Sequence, residues 1–577
     1  MQGNSSPSAT RYEIEKKPGE IVTGKSFVYN GETLVAEEGA ERFNRCDDSD
    51  YQTIATGMYS HAEGSDAIAT GYCSHAEGSS TRAHGNFSHA EGASTQASGN
   101  YSHAEGYSTI ASGIQAHTEG HGTQAIGNYC HAEGYQTVAG KDDGLGGAHA
   151  EGNETQATGD YSHAEGDTTT ASGTNSHAEG NSTTASGLYS HAEGNKTQAT
   201  GDYSHAEGNS TTASGVYSHT EGIRSKASSN SAHAEGMDTI ASGEESHAEG
   251  YETQATGKGS HAEGNTTIAK MSGAHAEGNT TTADGPGTHA EGASTTANGW
   301  WAHAEGAHTH AFGQTSHAEG QSTSALGEAS HAEGTHTTTD YVVGMHVSGR
   351  YNKSITTSSG NALVIGNGSQ ASSDVEPSLS NCFRVTFAGA VYGLSAFNSS
   401  GADYAEYFEW LDGNVTDEDR VGYFVTILGN KIVKAKSTDY ILGVVSGLPC
   451  IIGNADEDWL GRYQHDDFGR YLVEDAYKPK LDENGNETSE FIKIGIKYKE
   501  NPNYDPSQQY IERKDRKEWS AVGMLGVLAV RDDGTCVVNG YAQVTDSGTA
   551  TKAEVPAANT YRIIKRVSDR VIQIIFR

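Results

Sequence analysis

Long apolar runs are missing from this chain. Only 34% of its 577 residues are hydrophobic, and no stretch approaches the roughly 20 apolar residues of a membrane-spanning helix. Cysteine is sparse. The six, Cys46, Cys73, Cys130, Cys382, Cys450 and Cys536, are scattered without metal-ligand spacing and read as reduced thiols from a cytosolic assembly site. The opening Met1-Gln2-Gly3-Asn4-Ser5-Ser6 lacks a secretory-leader pattern. Positive charge is thin: 38 Lys and Arg stand against 75 Asp and Glu, a net charge of −37. That balance argues against nucleic acid and against insertion into or docking on an anionic membrane. A 3.6-residue apolar stripe is also absent, so helix is a poor reading.

What is abundant is glycine, 73 residues, arranged in a repeat. From about Tyr51 to Gly334 the chain repeats Ser-His-Ala-Glu-Gly followed by a Thr-rich half ending Ala-x-Gly. Ser60-His61-Ala62-Glu63-Gly64 recurs at Ser74-His75-Ala76-Glu77-Gly78 and onward to Ser330-His331-Ala332-Glu333-Gly334. The motif histidine occurs twenty times, spaced by 14 except for 18 between His131 and His149, where Lys141-Asp142-Asp143-Gly144 reads as an extra loop. A fixed short period of this kind specifies a solenoid. Each half reads as a short strand closed by a glycine that supplies a tight bend. Side chains alternate across a strand, so Ser60 and Ala62 face inward while His61 and Glu63 face out.

The inward residues are small. A buried methyl contributes about 1 kcal/mol or less, so one chain is weakly held by its own interior and an oligomer is the natural remedy. Twenty rungs of about 4.8 Å give a rod on the order of 95 Å. Tyr-Ser-His-Ala-Glu-Gly followed by Thr-x-Ala-x-Gly resembles the head repeat of trimeric autotransporter adhesins. That resemblance implies a left-handed parallel β-roll of 14-residue coils and a homotrimer. It places His61, Glu63, His75, Glu77, His163, Glu165, His317, Glu319 and their counterparts at the trimer contact. Where that family has apolar residues this chain has His and Glu, so the expected interface is polar, built of His–Glu hydrogen bonds.

The residue before each motif Ser is often aromatic, as at Tyr59, Phe87, Tyr101, Tyr129, Tyr161, Tyr189, Tyr203 and Tyr217, with Trp300 and Trp301 later. These read either as a ladder that stabilises the bend or as a sugar-stacking stripe. The His–Glu rows contain metal-ligand residue types, but a repeat makes such a row by default. No metal and no cofactor is expected.

The chain divides into residues 1–49, a cap or attachment segment; 50–334, the roll; 335–402, a trimeric β neck; and 403–577, a β-rich domain. Met345-His346-Val347-Ser348-Gly349 is a degenerate repeat. Cys382 to Gly393 reads as a hairpin turning at Gly389. Past Gly401 aliphatic, aromatic and charged residues rise. Strands are expected at 423–428, 440–445, 491–498, 522–530, 536–538, 562–566 and 571–576, with turns at Asn430, Gly453-Asn454 and Asp532-Asp533-Gly534.

At the junction, Ser399-Ser400-Gly401-Ala402 is small and flexible, followed by Asp403 and Glu406 among aromatics. Burial there would raise a carboxyl pKa towards neutrality. The run Ala402-Asp403-Tyr404-Ala405-Glu406-Tyr407-Phe408-Glu409-Trp410 is similar to the self-cleaving intramolecular chaperone domain that ends phage tail-spike and appendage proteins, a family classed with glutamic-type peptidases. So are Arg420 to Val425, Asp439 to Gly447, Asp458 to Tyr463 and Glu518 to Gly526. The resemblance covers about 403–577. It implies a domain that drives trimer folding and then cuts itself off at Ala402–Asp403, with Glu406 the essential carboxylate and Asp403 assisting. Ala402 stands where a hydroxyl residue can precede the cut, so the nucleophile is Ser399, Ser400 or water. A bond already held by the fold needs no separate substrate pocket.

The resemblance implies a virion tail protein, assembled in the host cytoplasm. Its N-terminal part would join other tail proteins, and the spike would bind a host-surface glycan or protein. Two alternatives are a bacterial trimeric surface adhesin and a polysaccharide-degrading spike. The first needs a secretory leader and a membrane barrel. The second needs an irregular cleft rather than twenty equal glutamates.

Overall fold

The computed structural model describes residues 53–577 other than 143–145, 356–359, 373–374, 397, 456–460, 482–486, 506 and 508, and the backbone of Ser26–Tyr29, Glu32–Val35 and Glu41–Phe43. The rest of the expected N-terminal segment lies outside the described residues. Two compact units form, Met1–Ser395 and Ala396–Arg577. Strands make up nearly all regular structure. The one helical turn among the described residues is Arg513–Asp515.

The repeat builds a β-solenoid. Each coil contributes a five-residue strand, such as His103–Tyr107, and a two-residue strand, such as Ile110–Ala111. Each pairs in parallel with the strand one coil on: His103 with His117 and Ile110 with Gln124. The interior between the two ladders holds Ser102, Ala104, Thr109 and Ala111, all buried. His103 and Glu105 alternate outward. The buried serine is satisfied locally: the Ser102 hydroxyl donates to the Gly99 carbonyl at 2.7 Å, and Ser60 to that of Gly57 at 2.7 Å. A buried hydroxyl without a partner would be costly, so this bond lets a polar residue serve in a core of methyls. Across the long spacing after His131 the ladders keep register, His131 with His149 and Val138 with Gln156. Lys141 and Asp142 belong to neither ladder; Asp143 and Gly144 lie outside the described residues.

The expectation that glycine makes the bends is corrected. In most coils the left-handed turn residues are not glycine, as with Tyr101 at φ 61° and Ser108 at φ 56°, although Gly122, Gly259, Gly273 and Gly287 fill those positions elsewhere. Gly106, with φ 105°, sits inside the long strand. A Cβ on Gly106 would lie 2.1 Å from the Gly120 carbonyl oxygen, and one on Gly99 1.8 Å from that of Gly113. Both glycines are required because backbone stacks directly on backbone; Gly99 also opens the turn closed by the Ser102 N–H on its carbonyl at 3.3 Å, and Gly106 holds a φ that side chains disfavour. The aromatic residues occupy the strained turn position and stack where they adjoin, with Tyr189, Tyr203 and Tyr217 at centroid spacings of 5.1 and 4.9 Å.

His346–Arg350 continues the parallel ladder, and Asn361–Asn367 adds one more rung. Asn381–Thr386 then pairs antiparallel with that rung, and Val391–Gly393 folds back on it. Gly389 makes the expected turn, its N–H donating to the Thr386 carbonyl at 2.9 Å.

Among its described residues the second unit has twelve strands: β1 Asp403–Glu409, β2 Phe424–Leu428, β3 Lys431–Lys434, β4 Gly443–Val445, β5 Ile451–Gly453, β6 Val473–Leu481, β7 Glu487–Tyr498, β8 Trp519–Arg531, β9 Tyr541–Val544, β10 Ala550–Ala553, β11 Thr560–Ser568 and β12 Val571–Phe576. One sheet runs β3-β2-β4-β8-β12-β11-β9-β10, with β1 joining β8 and β5; β6 and β7 pair separately. In β12, Ile572, Ile574 and Phe576 point inward and alternate with more exposed neighbours. They meet Phe424, Val444, Leu528, Val530 and Ile563 in the main core. Arg420, 7% exposed, is held by a two-pronged bond to Asp412 at 2.8 and 2.7 Å and lies 4.3 Å over the Trp410 ring. The expected strand at 536–538 is a turn instead. There the Cys536 carbonyl accepts from the Arg566 guanidinium, and the chain reverses at Asn539 with φ 64°.

Candidate active site

Strand β8 builds the junction because it is long enough to pair with β1 along its first part and with β12 along the rest. Asp403 opposes Gly526 and Glu406 opposes Val522. The Ala402–Asp403 peptide is clamped. The Ala402 carbonyl oxygen accepts from the Val527 N–H at 3.1 Å, and the Asp403 carbonyl from the Cys450 N–H at 2.8 Å. A Cβ on Gly526 would lie 2.3 Å from the Ala402 oxygen, and one on Gly401 2.5 Å from the Cys450 nitrogen. Both glycines admit backbone to within contact of the bond.

Asp403 is 4% exposed, and its Oδ2 has no hydrogen-bond partner. Burial pushes its carboxyl above the ordinary range, with a hydrogen bond from Ser446 acting the other way. The carboxyl lies against Gly523, where a Cβ would be 2.5 Å from Oδ2. A carboxyl whose neutral form is favoured by burial thus sits next to the peptide nitrogen it follows.

Glu406 is placed differently. Three residues on along a regular strand is the opposite face, and exposure along β1 alternates accordingly. Its Oε1 accepts from the Tyr404 hydroxyl at 2.5 Å, a bond that raises the Tyr404 phenol pKa. Gly453 of β5 leaves room, since a Cβ there would be 2.9 Å from the Tyr404 hydroxyl and 3.0 Å from Glu406 Cγ. The two carboxylates expected to cooperate are therefore not brought together within one chain. Ser399 and Ser400 are exposed, and the Ser399 hydroxyl accepts from the Gly401 N–H at 3.1 Å.

Sequence reasoning did not single out Val527, Gly526, Ser446, Cys450 or Tyr404. Gly526 closes the Gly523-Met524-Leu525-Gly526 run, where paired glycines in an apolar strand signal close backbone approach. The others are contributed by pairings more than forty residues distant or by an ordinary aromatic position.

The His–Glu rows face outward as expected. Nε2 to Oε separations are 3.6 Å for His61–Glu63, 3.8 Å for His75–Glu77 and 4.0 Å for His317–Glu319, and Glu165 lies 3.7 Å from His177 of the next coil. His163 stacks at 4.8 Å on His177. These separations exceed a hydrogen bond, and the 4.8 Å between the rings follows the strand spacing of the parallel backbone ladder that pairs His163 with His177.

Residues 347–570 match the family described as Peptidase_G2, IMC autoproteolytic cleavage domain, and residues 164–190 and 318–338 match the YadA head domain repeat. The preneck appendage protein of Bacillus phage PZA is 38% identical over 138 residues, covering 23% of this chain and 14% of that protein. The pre-neck appendage protein of Bacillus phage phi29 is 36% identical over 157 residues, covering 26% of this chain and 16% of that protein. A crystal structure of the C-terminal fragment of bacteriophage phi29 gene product 12 is 29% identical and covers 30% of this chain and all of the fragment, with a TM-score of 0.23. The chain thus spans about a fifth or less of the curated relatives it matches. The chain combines a solenoid with matches to a head-domain repeat and a C-terminal region that matches an autoproteolytic cleavage domain, and part of its length is similar to phage appendage proteins.

Proposed function

We propose that this chain is a structural phage appendage that trimerises, cuts itself once between Ala402 and Asp403, and presents its solenoid to a host-surface glycan or protein. The observation that carries the cleavage reading is the clamped peptide: Val527 N–H on the Ala402 oxygen, with Gly526 and Gly401 packed around it. An N–H already aimed at that oxygen stabilises the charge that builds on it when the carbonyl is attacked. Water adds to the Ala402 carbon, the C–N bond breaks, and the Asp403 nitrogen leaves with a proton. The buried Asp403 carboxyl beside it is the assisting group, and Glu406 is the required carboxylate of a glutamic-type, single-turnover peptidase. Because Glu406 leaves the opposite face of β1, the reading favours action on the junction of a neighbouring chain in a homotrimer. Ser399 and Ser400 are the alternative nucleophiles.

The trimer has a physical motive. A solenoid of near-identical coils keeps most of its contacts when slipped by one rung, so three chains need an external register. A C-terminal domain with an ordinary core supplies one, and its removal leaves the assembled rod kinetically trapped. Residues before the solenoid join the chain to other virion proteins, and assembly takes place in the host cytoplasm.

The test is expression of wild type and Glu406→Ala. Wild type gives two bands on a denaturing gel, divided near residue 402, and the variant gives one. Two bands from Glu406→Ala would remove Glu406 from the mechanism. Co-expressing Glu406→Ala with a tagged wild-type chain restores cutting of the variant if the carboxylate acts across chains. Single variants Ser399→Ala and Ser400→Ala still cut if water is the nucleophile.

A further inference from the structure

Tyr404 and Glu406 lie two apart on β1 and so share one of its faces. The strands on either side differ in what they set against that face. β8 places Val522 opposite Glu406, while β5 places Ile451 opposite Tyr404 and Gly453 opposite Glu406. Gly453 leaves the space beside Glu406 bare. A Cβ there would lie 2.9 Å from the Tyr404 hydroxyl, 3.0 Å from Glu406 Cγ and 3.5 Å from Glu406 Cδ. The phenol reaches into that gap and donates to Glu406 Oε1 at 2.5 Å.

Other glutamates of this unit are held by cations. Lys431 donates to Glu409 at 2.6 Å, Lys434 to Glu418 at 2.5 Å and Arg516 to Glu518 at 2.8 Å. Among the described residues no Lys, Arg or His pairs with Glu406, and Tyr404 is its one side-chain hydrogen-bond partner. A cation offsets the charge of the carboxylate it binds. A phenol is a single neutral donor, so the charge of Glu406 and the lone pairs of Oε2 stay available. The charged side chains near this part of β1, Glu512, Lys514 and Asp515, lie by Tyr407 on the other face. Opposite Glu406, β8 presents Val522 and β5 presents Gly453, neither of which titrates.

The geometry points to Tyr404 as the positioning residue of Glu406: its hydroxyl fixes Oε1 and leaves Oε2 free to take a proton from the attacking water. The inference rests on the reading of Glu406 as the carboxylate that self-cleavage requires. The water oxygen bonds to the Ala402 carbon and its proton passes to Oε2. That proton goes on to the Asp403 nitrogen as the C–N bond breaks. Tyr404 gives up no proton. Its bond to Glu406 raises the phenol above its ordinary value, which keeps it a donor throughout the neutral range. A donor on a carboxylate favours the ionised form, so without the phenol the fall in cleavage rate on acidification should begin at higher pH.

Full-length precursor is taken in urea from inclusion bodies, refolded from about pH 5 to about pH 9, and fragment release timed on denaturing gels. Tyr404→Phe keeps the ring and removes the donor. It should slow release at neutral pH at least about tenfold and move the acid limb of the rate profile to higher pH. A ring-fluorinated tyrosine at position 404, close in shape but a more acidic donor, should move that limb to lower pH, a readout that stands if Tyr404→Phe fails to fold. An acid limb unmoved by both changes overturns the assignment, even where release slows uniformly, because a merely structural role gives that result. Glu406→Ala separates this inference from the reading beneath it. If that variant does not cut while folded Tyr404→Phe cuts with the wild-type profile, the positioning role alone falls. If Glu406→Ala still cuts, Glu406 has no part in cleavage and both fall.

Discussion

The amide N–H of Val527 donates to the carbonyl oxygen of Ala402 across 3.1 Å, and at the residue before it, Gly526, a Cβ would lie 2.3 Å from that same oxygen. One strand thus both grips the junction peptide and polarises it. Gly526 has φ 124°, and any Cβ there would be driven into the Ala402 carbonyl. Gly526→Ala should displace β1, cost about 1–3 kcal/mol, and slow fragment release at least tenfold. Thermal melting and a time course of fragment appearance check both.

Asp403 is a buried acid with its pKa raised. Its folded value lies above its unfolded one, so the folded state binds the proton more tightly. Stability is therefore greatest at low pH and falls as pH rises through the raised value. Asp403→Asn removes that penalty and should be more stable than wild type at pH 8, by about 1–2 kcal/mol, with the gap closing towards pH 4. It should also cleave more slowly. Denaturant melts across pH, together with the cleavage assay, separate the two effects.

Asp412 behaves in the opposite sense. Its hydrogen bonds with Arg420 hold it down to about 2. That contribution is present above the ordinary aspartate range and is lost as pH falls towards about 2. Asp412 is largely exposed, so Asp412→Asn should shift the acid-unfolding midpoint only slightly upward. Arg420→Ala, which empties a buried site beside Trp410, should cost about 2–4 kcal/mol at neutral pH. Far-ultraviolet dichroism as a function of acid and of urea tests the pair.

In the solenoid, two neighbouring positions should respond in opposite ways. Gly92→Ala places a Cβ 2.1 Å from the Gly106 oxygen and should cost several kcal/mol by separating two rungs. Ser94→Gly, at φ 59°, relieves a left-handed residue and should fall within about 1 kcal/mol of wild type or exceed it. Melting curves of the two variants decide whether coil glycines serve stacking or turning.

Much of the solenoid is legible because its signal is local. Parity along five residues puts Ser60 and Ala62 inside and His61 and Glu63 outside, and the 14-residue period fixes which residue lies above which. What local reading missed is what a neighbouring coil imposes: Gly64 looks like a bend until the carbonyl of Gly78 is set beneath it. The junction shows the same divide. The strand Asp403–Glu409 is not among those expected from the sequence, which shows only a small linker followed by acidic and aromatic residues. The odd spacing from Asp403 to Glu406 already implies opposite faces, yet a likeness in residue order suggested cooperation. Val527 and Cys450 enter through pairings distant in sequence and bear only backbone groups on the bond, so no side-chain pattern announces them. In the second unit the Val571–Phe576 alternation identifies its strand directly, whereas Val537-Val538 carries strand propensity but is turned aside by the Arg566 contact to Cys536.

The account rests on one bond. Intact-mass measurement of the purified full-length product, with N-terminal sequencing of its smaller component, reads it directly. The expected result is a fragment beginning at Asp403 and ending at Arg577, with a larger partner ending at Ala402. A single uncut chain, or a fragment beginning elsewhere, contradicts the account.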